Sequence, residues 1–241
     1  MINKIKLTAV ILQYYPERIQ NIPRIISDLK NSSRPPDKII VFNNNSAIKT
    51  HDHIPDDVVY MNTNYGFLGR AKYIICLLDF SDYYVLIDDD MSVSKNTLSH
   101  LLSIAQESNQ SFCTAQQGVI MDGKLFHERK TITDIEITEP TPTETLIGSF
   151  VFCSFSAIVR MLSYEQECRK KMREAHLIEK LGDDLLMGFS NAPIVIYPAK
   201  EDEKVIDLPE YGVRCNLLFK DGEMTEQRDK ITELMKQIFN K

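Results

Sequence analysis

Apolar residues come along this chain in short blocks separated by stretches with helical spacing, and the first block, residues 6–14, is nearly continuous. Such a run predicts a strand covered on both faces. Pro16 then sits just inside a helix start with Glu17 in the first turn, where a missing N–H is harmless and an acid suits the dipole. Ile19, Ile22, Ile25, Ile26 and Leu29 recur at helical spacing, with a bend expected at Pro23. After a loop over residues 31–37, a second strand at 38–42 completes a β-α-β unit, the mark of a parallel sheet. A short strand at 58–61 follows, then a helix over 69–78 packing Ile74, Ile75, Leu77 and Leu78. Next comes an apolar block from Tyr83 to Ile87 that stops at Asp88-Asp89-Asp90. A helix over 95–107 buries Leu98, Leu101, Leu102 and Ala105.

Beyond residue 110 the texture changes. Residues 112–115 and 118–121 read as strand, with a turn at Asp122-Gly123, and 131–138 alternates as an exposed β segment. After a loop at 139–143, the apolar block 147–159 is expected to cross behind the acidic strand end. A charged helix over 165–180 leads to Gly182-Asp183-Asp184, and 193–197 forms a last short strand. Residues 201–223 read as an acidic loop, and a closing helix over 225–239 puts Ile231, Leu234, Met235 and Ile238 on one stripe. No repeat and no long linker interrupts the chain. A single α/β domain is expected over 1–241, with portions 1–110, 111–200 and 201–241.

Composition adds limits. The 241 residues, 43% hydrophobic and 26% charged, suffice for a sizeable core. No apolar run approaches the roughly 20 residues that span a bilayer. The apolar run 7–12 is too short for a secretory signal, so a cytoplasmic protein is expected. Cys76, Cys113, Cys153, Cys168 and Cys215 lack paired spacing and read as reduced, buried thiols. A net charge of −6 argues against broad nucleic-acid binding without excluding a local basic groove.

Two acidic sites carry candidate chemistry. Three adjacent carboxylates at a strand end repel one another and call for a compensating partner. Mg²⁺ or Mn²⁺ would serve, since hard cations take oxygen ligands and share them with phosphates. A solvated acidic turn is the simpler alternative. Alternation puts Asp88 and Asp90 on one side and Asp89 on the other. Asp183-Asp184 opens a helix, where Asp183 serves as an N-cap or one of the pair serves as a general base. Among the histidines, His51, His53, His100, His127 and His176, none follows residue 184.

The order of these pieces is informative: a first buried strand, Asn43-Asn44-Asn45-Ser46 after the second, and Asn64-Tyr65-Gly66-Phe67-Leu68-Gly69-Arg70. Ile87-Asp88-Asp89-Asp90 and a later Asp183-Asp184-Leu185-Leu186 complete the series. Over residues 5–190 the chain resembles the GT-A glycosyltransferases, in particular the inverting family 2 enzymes that use nucleotide sugars. The resemblance implies a Rossmann-like, mostly parallel sheet flanked by helices, with the donor held by the first 110 residues. It sets Gln13, Tyr14 and Asn43 against the base, Arg70 against base or phosphates or else on the exposed face of its helix, and Gly66 at the donor or in a plain turn. Its D-x-D element falls on Asp88 and Asp90, Asp88 at the ribose or at the metal through water, Asp90 on the Mn²⁺ or Mg²⁺ that bridges the phosphates. Asp184 would be the base, with Asp183 beside it. The family more often has an acid at position 43 and Glu at 183. Its late metal-binding histidine has no counterpart, leaving a carboxylate in 201–210, or phosphates and water, to complete the shell. Arg228 faces the diphosphate or the surface.

The implied reaction moves a sugar, from a UDP-sugar by expectation, to an acceptor hydroxyl with inversion. The acceptor is a polysaccharide or lipid-linked glycan. Alternatively it is a hydroxymethylated DNA base, with Lys124, Arg129, Lys130, Arg169, Lys170 and Lys171 along the backbone. A nucleotidyltransferase would want a glycine-rich loop where Gln13-Tyr14-Tyr15-Pro16 has no glycine. A non-catalytic nucleotide-sugar module would need no base.

Overall fold

The unbroken apolar run of the first strand is explained by a sheet with helices on both faces. The structure, a computed structural model, describes residues 4–48, 54–63, 70–108, 111–179, 182–211 and 223–240. Strands β1 (Leu7–Gln13), β2 (Lys38–Asn43), β3 (Val59–Asn62) and β4 (Tyr83–Asp88) run parallel in the spatial order β3-β2-β1-β4. After β5 (Met91–Val93) come β6 (Cys113–Ile120), β7 (Lys130–Thr133), β8 (Thr141–Thr143) and β9 (Thr145–Ser154). The sheet has seven strands in the order β3-β2-β1-β4-β9-β6-β7, and β9 and β7 oppose the rest. This is the mainly parallel α/β sheet that the sequence predicts.

Side-chain parity divides the core. Leu7, Ala9, Ile11, Ile39, Val41, Val85 and Ile87 face α1 (Ile22–Asn31) and α3 (Thr97–Glu107). Val10, Leu12, Ile40, Phe42, Tyr84 and Leu86 face α2 (Ala71–Ile75), α4 (Phe155–Glu174), α5 (Asp183–Asn191) and α6 (Glu223–Phe239). Since β4 alternates, Asp88 ends on the α2 and α5 side. β10 (Ile194–Ile196) pairs with β8, and β11 (Val205–Asp207) pairs with β5.

Several expectations are corrected. The segment before Pro23 is a 3-10 turn, Pro16–Asn21, and α1 restarts with Pro23 in its first turn, where proline needs no donor. The helix expected over 69–78 is short and rotated: Lys72 and Tyr73 are buried, whereas Leu77 and Leu78 are 41% and 68% exposed. Strand β9 stops at Ser154, whose hydroxyl accepts from the Ala157 N–H and starts α4 well before residue 165. Of the expected 131–138 segment only residues 131–133, the end of β7, are strand, and β11 lies within the expected acidic loop. Cys76, Cys113, Cys153 and Cys168 are buried and unpaired, while Cys215 lies outside the described residues. Among the described residues no helix is long and apolar enough to cross a membrane.

Candidate active site

The parallel strands end in a row of polar side chains. Gln13 of β1 pairs with Asn43 of β2, Asn43 with Asn62 of β3, and Leu12 stands beside Asp88 of β4. In open α/β sheets this carboxyl edge is where ligands bind. Asn43 is fully buried and committed locally: its amide donates to the Ile48 carbonyl at 2.9 Å and Asn62 Oδ1 at 3.0 Å, and its Oδ1 accepts from Asn45 N–H at 3.0 Å. Its side chain shapes the loop after β2. Asn45 ties that loop to the Tyr14 carbonyl at 2.8 Å. Gln13 is different. It is 1% exposed, and among the described residues neither polar atom of its amide has a hydrogen-bond partner. A buried amide in that state calls for a ligand edge carrying a donor and an acceptor.

The acidic triplet is already compensated by two organic cations that the sequence reading missed. Asp89 is 2% exposed and accepts from the N–H groups of Tyr14 (2.8 Å) and Tyr15 (3.0 Å) and from Arg18 Nη1 (3.2 Å). It therefore fastens the end of β4 to the turn after β1. The same Arg18 Nη1 is 2.7 Å from Asp90 Oδ2. Lys72 of α2 places its ammonium 2.7 Å from Asp88 Oδ1 and also donates to the Gly148 carbonyl. Burial pushes all three carboxyl pKa values up; Lys72 opposes the rise at Asp88 and Arg18 opposes it at Asp89 and Asp90. The charge of Asp88 also raises Asp90. The carboxylates signalled a need for cations, but sequence spacing could not show that a 3-10 turn and a short helix would bring Arg18 and Lys72.

Oxygen donors remain for a divalent ion. Asp90 Oδ1 is buried with no hydrogen-bond partner among the described residues, and the Asp88 side chain is 32% exposed although much of it lies deep among protein atoms. Glu210, from the expected 201–210 segment, comes within 4.0 Å of Arg18 Nη2, and its charge also raises Asp90. Among the described residues no group of three metal-ligating side chains is assembled. Two carboxylates of hard oxygen fit an ion that takes its other ligands from phosphates and water. The 201–211 segment is strapped onto this site: the Leu208 N–H donates to the Asp90 carbonyl at 2.7 Å, and Asn21 bridges the Asp89 and Pro209 carbonyls at 2.9 and 3.0 Å.

The second acidic pair is close by. Helix α5 packs so tightly on β9 that a methyl at Gly188 would overlap Thr145. A methyl at Gly148 would meet Asp184 Cβ at 2.9 Å and Tyr73 Oη at 3.5 Å. Gly148 thus separates the Lys72–Asp88 pair from Asp184 by one residue of backbone, and Tyr73 Oη, buried and unpartnered, faces the same junction. Asp183 is not a side-chain cap, because the N-cap position is Gly182. Instead Asp183 Oδ1 is 2.6 Å from Arg169 Nη2, and burial pushes its pKa up to about 6 against the pull of that guanidinium. Asp184 Oδ1 accepts from Leu185 N–H at 3.0 Å, and Oδ2 accepts from Arg228 Nη2 of α6.

The remaining candidates divide. Arg70 reaches Glu165 of α4 at 3.3 Å and lies close enough to Asp183 to steady its charge. Tyr14 stands half-exposed, edge-on to Tyr15 with centroids 5.0 Å apart. Gly66 lies outside the described residues. Arg169, expected on a basic surface, is instead 9% exposed and bound to Glu165 and Asp183, and Lys171 pairs with Glu167 at 3.3 Å. His127 lies 2.7 Å from Asp229.

With this geometry in view, the comparisons with known proteins are specific about family and fold. The family described as Glycosyl transferase family 2 matches residues 9–166. No curated protein matches. Among solved structures, S. aureus TarS aligns with a TM-score of 0.54 at 11% identity, covering 81% of this chain and 36% of that one. S. aureus TarS 1-349 aligns with the same TM-score at 12% identity, covering 81% of this chain and 59% of that one. The chain therefore spans less than two thirds of either neighbour, and the likeness is one of fold, the GT-A arrangement.

Proposed function

The chain belongs to glycosyl transferase family 2, and from that premise we propose that it moves a sugar from a UDP-sugar to an acceptor hydroxyl, with inversion at the anomeric carbon. The acceptor in this reading is a polysaccharide or lipid-linked glycan. The observation that carries the proposal is the junction at Gly148. There the candidate donor-side carboxylate, reached through Lys72, and the candidate base Asp184 meet across one residue of β9. Transfer needs both sides of one bond to be served within a few ångströms.

Gln13 and Tyr14 would take the base, an orphaned amide for its edge and a half-exposed ring for its face. Asp90 Oδ1 and Asp88 would hold Mn²⁺ or Mg²⁺, which supplies charge neutralisation of the departing nucleoside diphosphate. Asp184 would receive the proton of the acceptor hydroxyl as its oxygen bonds to the anomeric carbon and the bond to the diphosphate breaks on the opposite face. Arg228 must yield one Asp184 oxygen for that to happen. Asp183, locked to Arg169, and Arg70, locked to Glu165, would hold the start of α5 in place. The buried, unpaired thiols suit a reducing compartment such as the cytosol.

A thermal-shift panel of nucleotide sugars with and without Mn²⁺ tests the proposal. Only a ligand that the folded state binds adds stability, about 2.7 kcal/mol at one hundred times Kd, and so raises the melting point. One UDP-sugar should stabilise the protein, EDTA should remove most of the effect, and Asp90→Asn should reproduce the loss. Equal shifts with and without metal would refute the metal role. No shift with any nucleotide sugar would refute the donor site.

A further inference from the structure

Lys72 is a buried cation for which the proposed reaction has no assigned use. It is 3% exposed, because α2 turns it inward on a face that the apolar spacing does not single out. Its ammonium has three donors, and the structure accounts for two, on Asp88 Oδ1 and the Gly148 carbonyl. Asp88 is also a carboxylate that would face a divalent ion. A metal and an ammonium on one carboxylate repel each other strongly in a half-buried site.

The other resident cation is differently held. Arg18 is gripped by Asp89 as well as Asp90, stacks with its guanidinium carbon 4.7 Å from the Tyr15 ring centroid, and sits on a turn that Asp89 itself fastens. Nothing about Arg18 invites it to leave. Lys72 rests on a single carboxylate oxygen and one carbonyl, with its ammonium a longer 5.9 Å from the Tyr73 ring centroid, at the end of a flexible four-carbon stem. Of the two cations, only Lys72 can change partner without dismantling the strand end.

We propose that Lys72 is an exchangeable counterion of the donor site: it occupies Asp88 while the site is empty, yields that oxygen to the divalent ion when donor and metal enter, and donates to a diphosphate oxygen thereafter. The proposal rests on the donor-site reading above. It gives Asp88 a partner in each state and keeps the site from holding a metal before the nucleotide arrives. Lys72 is thereby a residue that touches substrate, as well as one that sets the order of binding.

The experiment measures Mn²⁺ and UDP affinities by titration calorimetry, with the electron paramagnetic resonance signal of free Mn²⁺ as a second readout, on the wild type, Lys72→Met and Lys72→Arg. Wild type should bind Mn²⁺ weakly alone and more tightly with UDP. Lys72→Met should bind Mn²⁺ alone roughly tenfold more tightly, while its UDP affinity at saturating Mn²⁺ should fall roughly tenfold, the worth of one charge-assisted hydrogen bond. Lys72→Arg should stay near wild type in both. An unchanged or weaker Mn²⁺ affinity in Lys72→Met, with UDP still bound, overturns the exchange and leaves the donor site standing. Failure of the wild type to bind UDP with Mn²⁺ overturns the donor-site reading itself. If Lys72→Met does not fold, the decision passes to Lys72→Arg and wild type: equal wild-type Mn²⁺ affinity with and without UDP contradicts the exchange.

Discussion

Asp88, Asp89 and Asp90 are three copies of one residue in three physical states. Asp89 is a buried clamp, Asp88 an ion-paired group open on one side, and Asp90 a carboxylate with one oxygen spent on Arg18 and one unpartnered. Alternation along the strand anticipates the separation of Asp89 from its neighbours. Removing the clamp leaves Arg18 without half of its anchor, so Asp89→Ala should cost about 3 kcal/mol and lower the melting point by roughly 10 °C. An unchanged melting point would contradict the clamp. Asp134 gives a pH test away from the site. It is 7% exposed, has no cation within ion-pair reach among the described residues, and burial pushes its pKa up to about 6. A folded pKa above the free carboxyl value means that the folded state holds the proton more firmly. Stability is therefore lost as pH rises from about 4 to about 6. Asp134→Asn should raise the melting point at pH 8, by up to about 2 kcal/mol of stability, and change little at pH 4. Equal differences at the two pH values would contradict this assignment.

At the scale of elements, the parallel half was legible because its strands are apolar on both faces and end in polar residues. β1, β2 and β4 lie where their apolar runs put them, within a residue of the expected limits. α2 was misread for a physical reason: Leu77 and Leu78 look like core by spacing, but the buried face carries Lys72, whose burial depends on Asp88, 16 residues on. Long-range pairing of that kind leaves no periodic trace. β11 was read as loop because its three residues pair only with the equally short β5. The start of α5 was foreseen from Asp183-Asp184, yet its closeness to β9 depends on Gly148 and Gly188, which no pattern singled out. Gly148→Ala should displace Asp184, lowering transfer at least about tenfold while UDP affinity changes little, because a misplacement near 1 Å is that costly. Wild-type turnover in that variant would separate Asp184 from the reaction.

At the scale of the whole molecule, a sheet built from both halves of the chain brings two acidic sites together that stand far apart in sequence. β9 enters beside β4 and carries Gly148 between them. The family and fold follow from the sequence match and the architecture. The roles proposed for the side chains rest on the junction. The measurement that tests the central claim most directly is release of UDP from the stabilising UDP-sugar in the presence of Mn²⁺, comparing wild type with Asp184→Asn, alongside UDP affinity for both. The account predicts release by the wild type, a loss of roughly 10²–10⁴-fold in Asp184→Asn, and nearly equal UDP affinities. Undiminished release by Asp184→Asn would contradict it, and so would release of the sugar 1-phosphate, the product of uridylyl transfer from a UDP-sugar, in place of UDP.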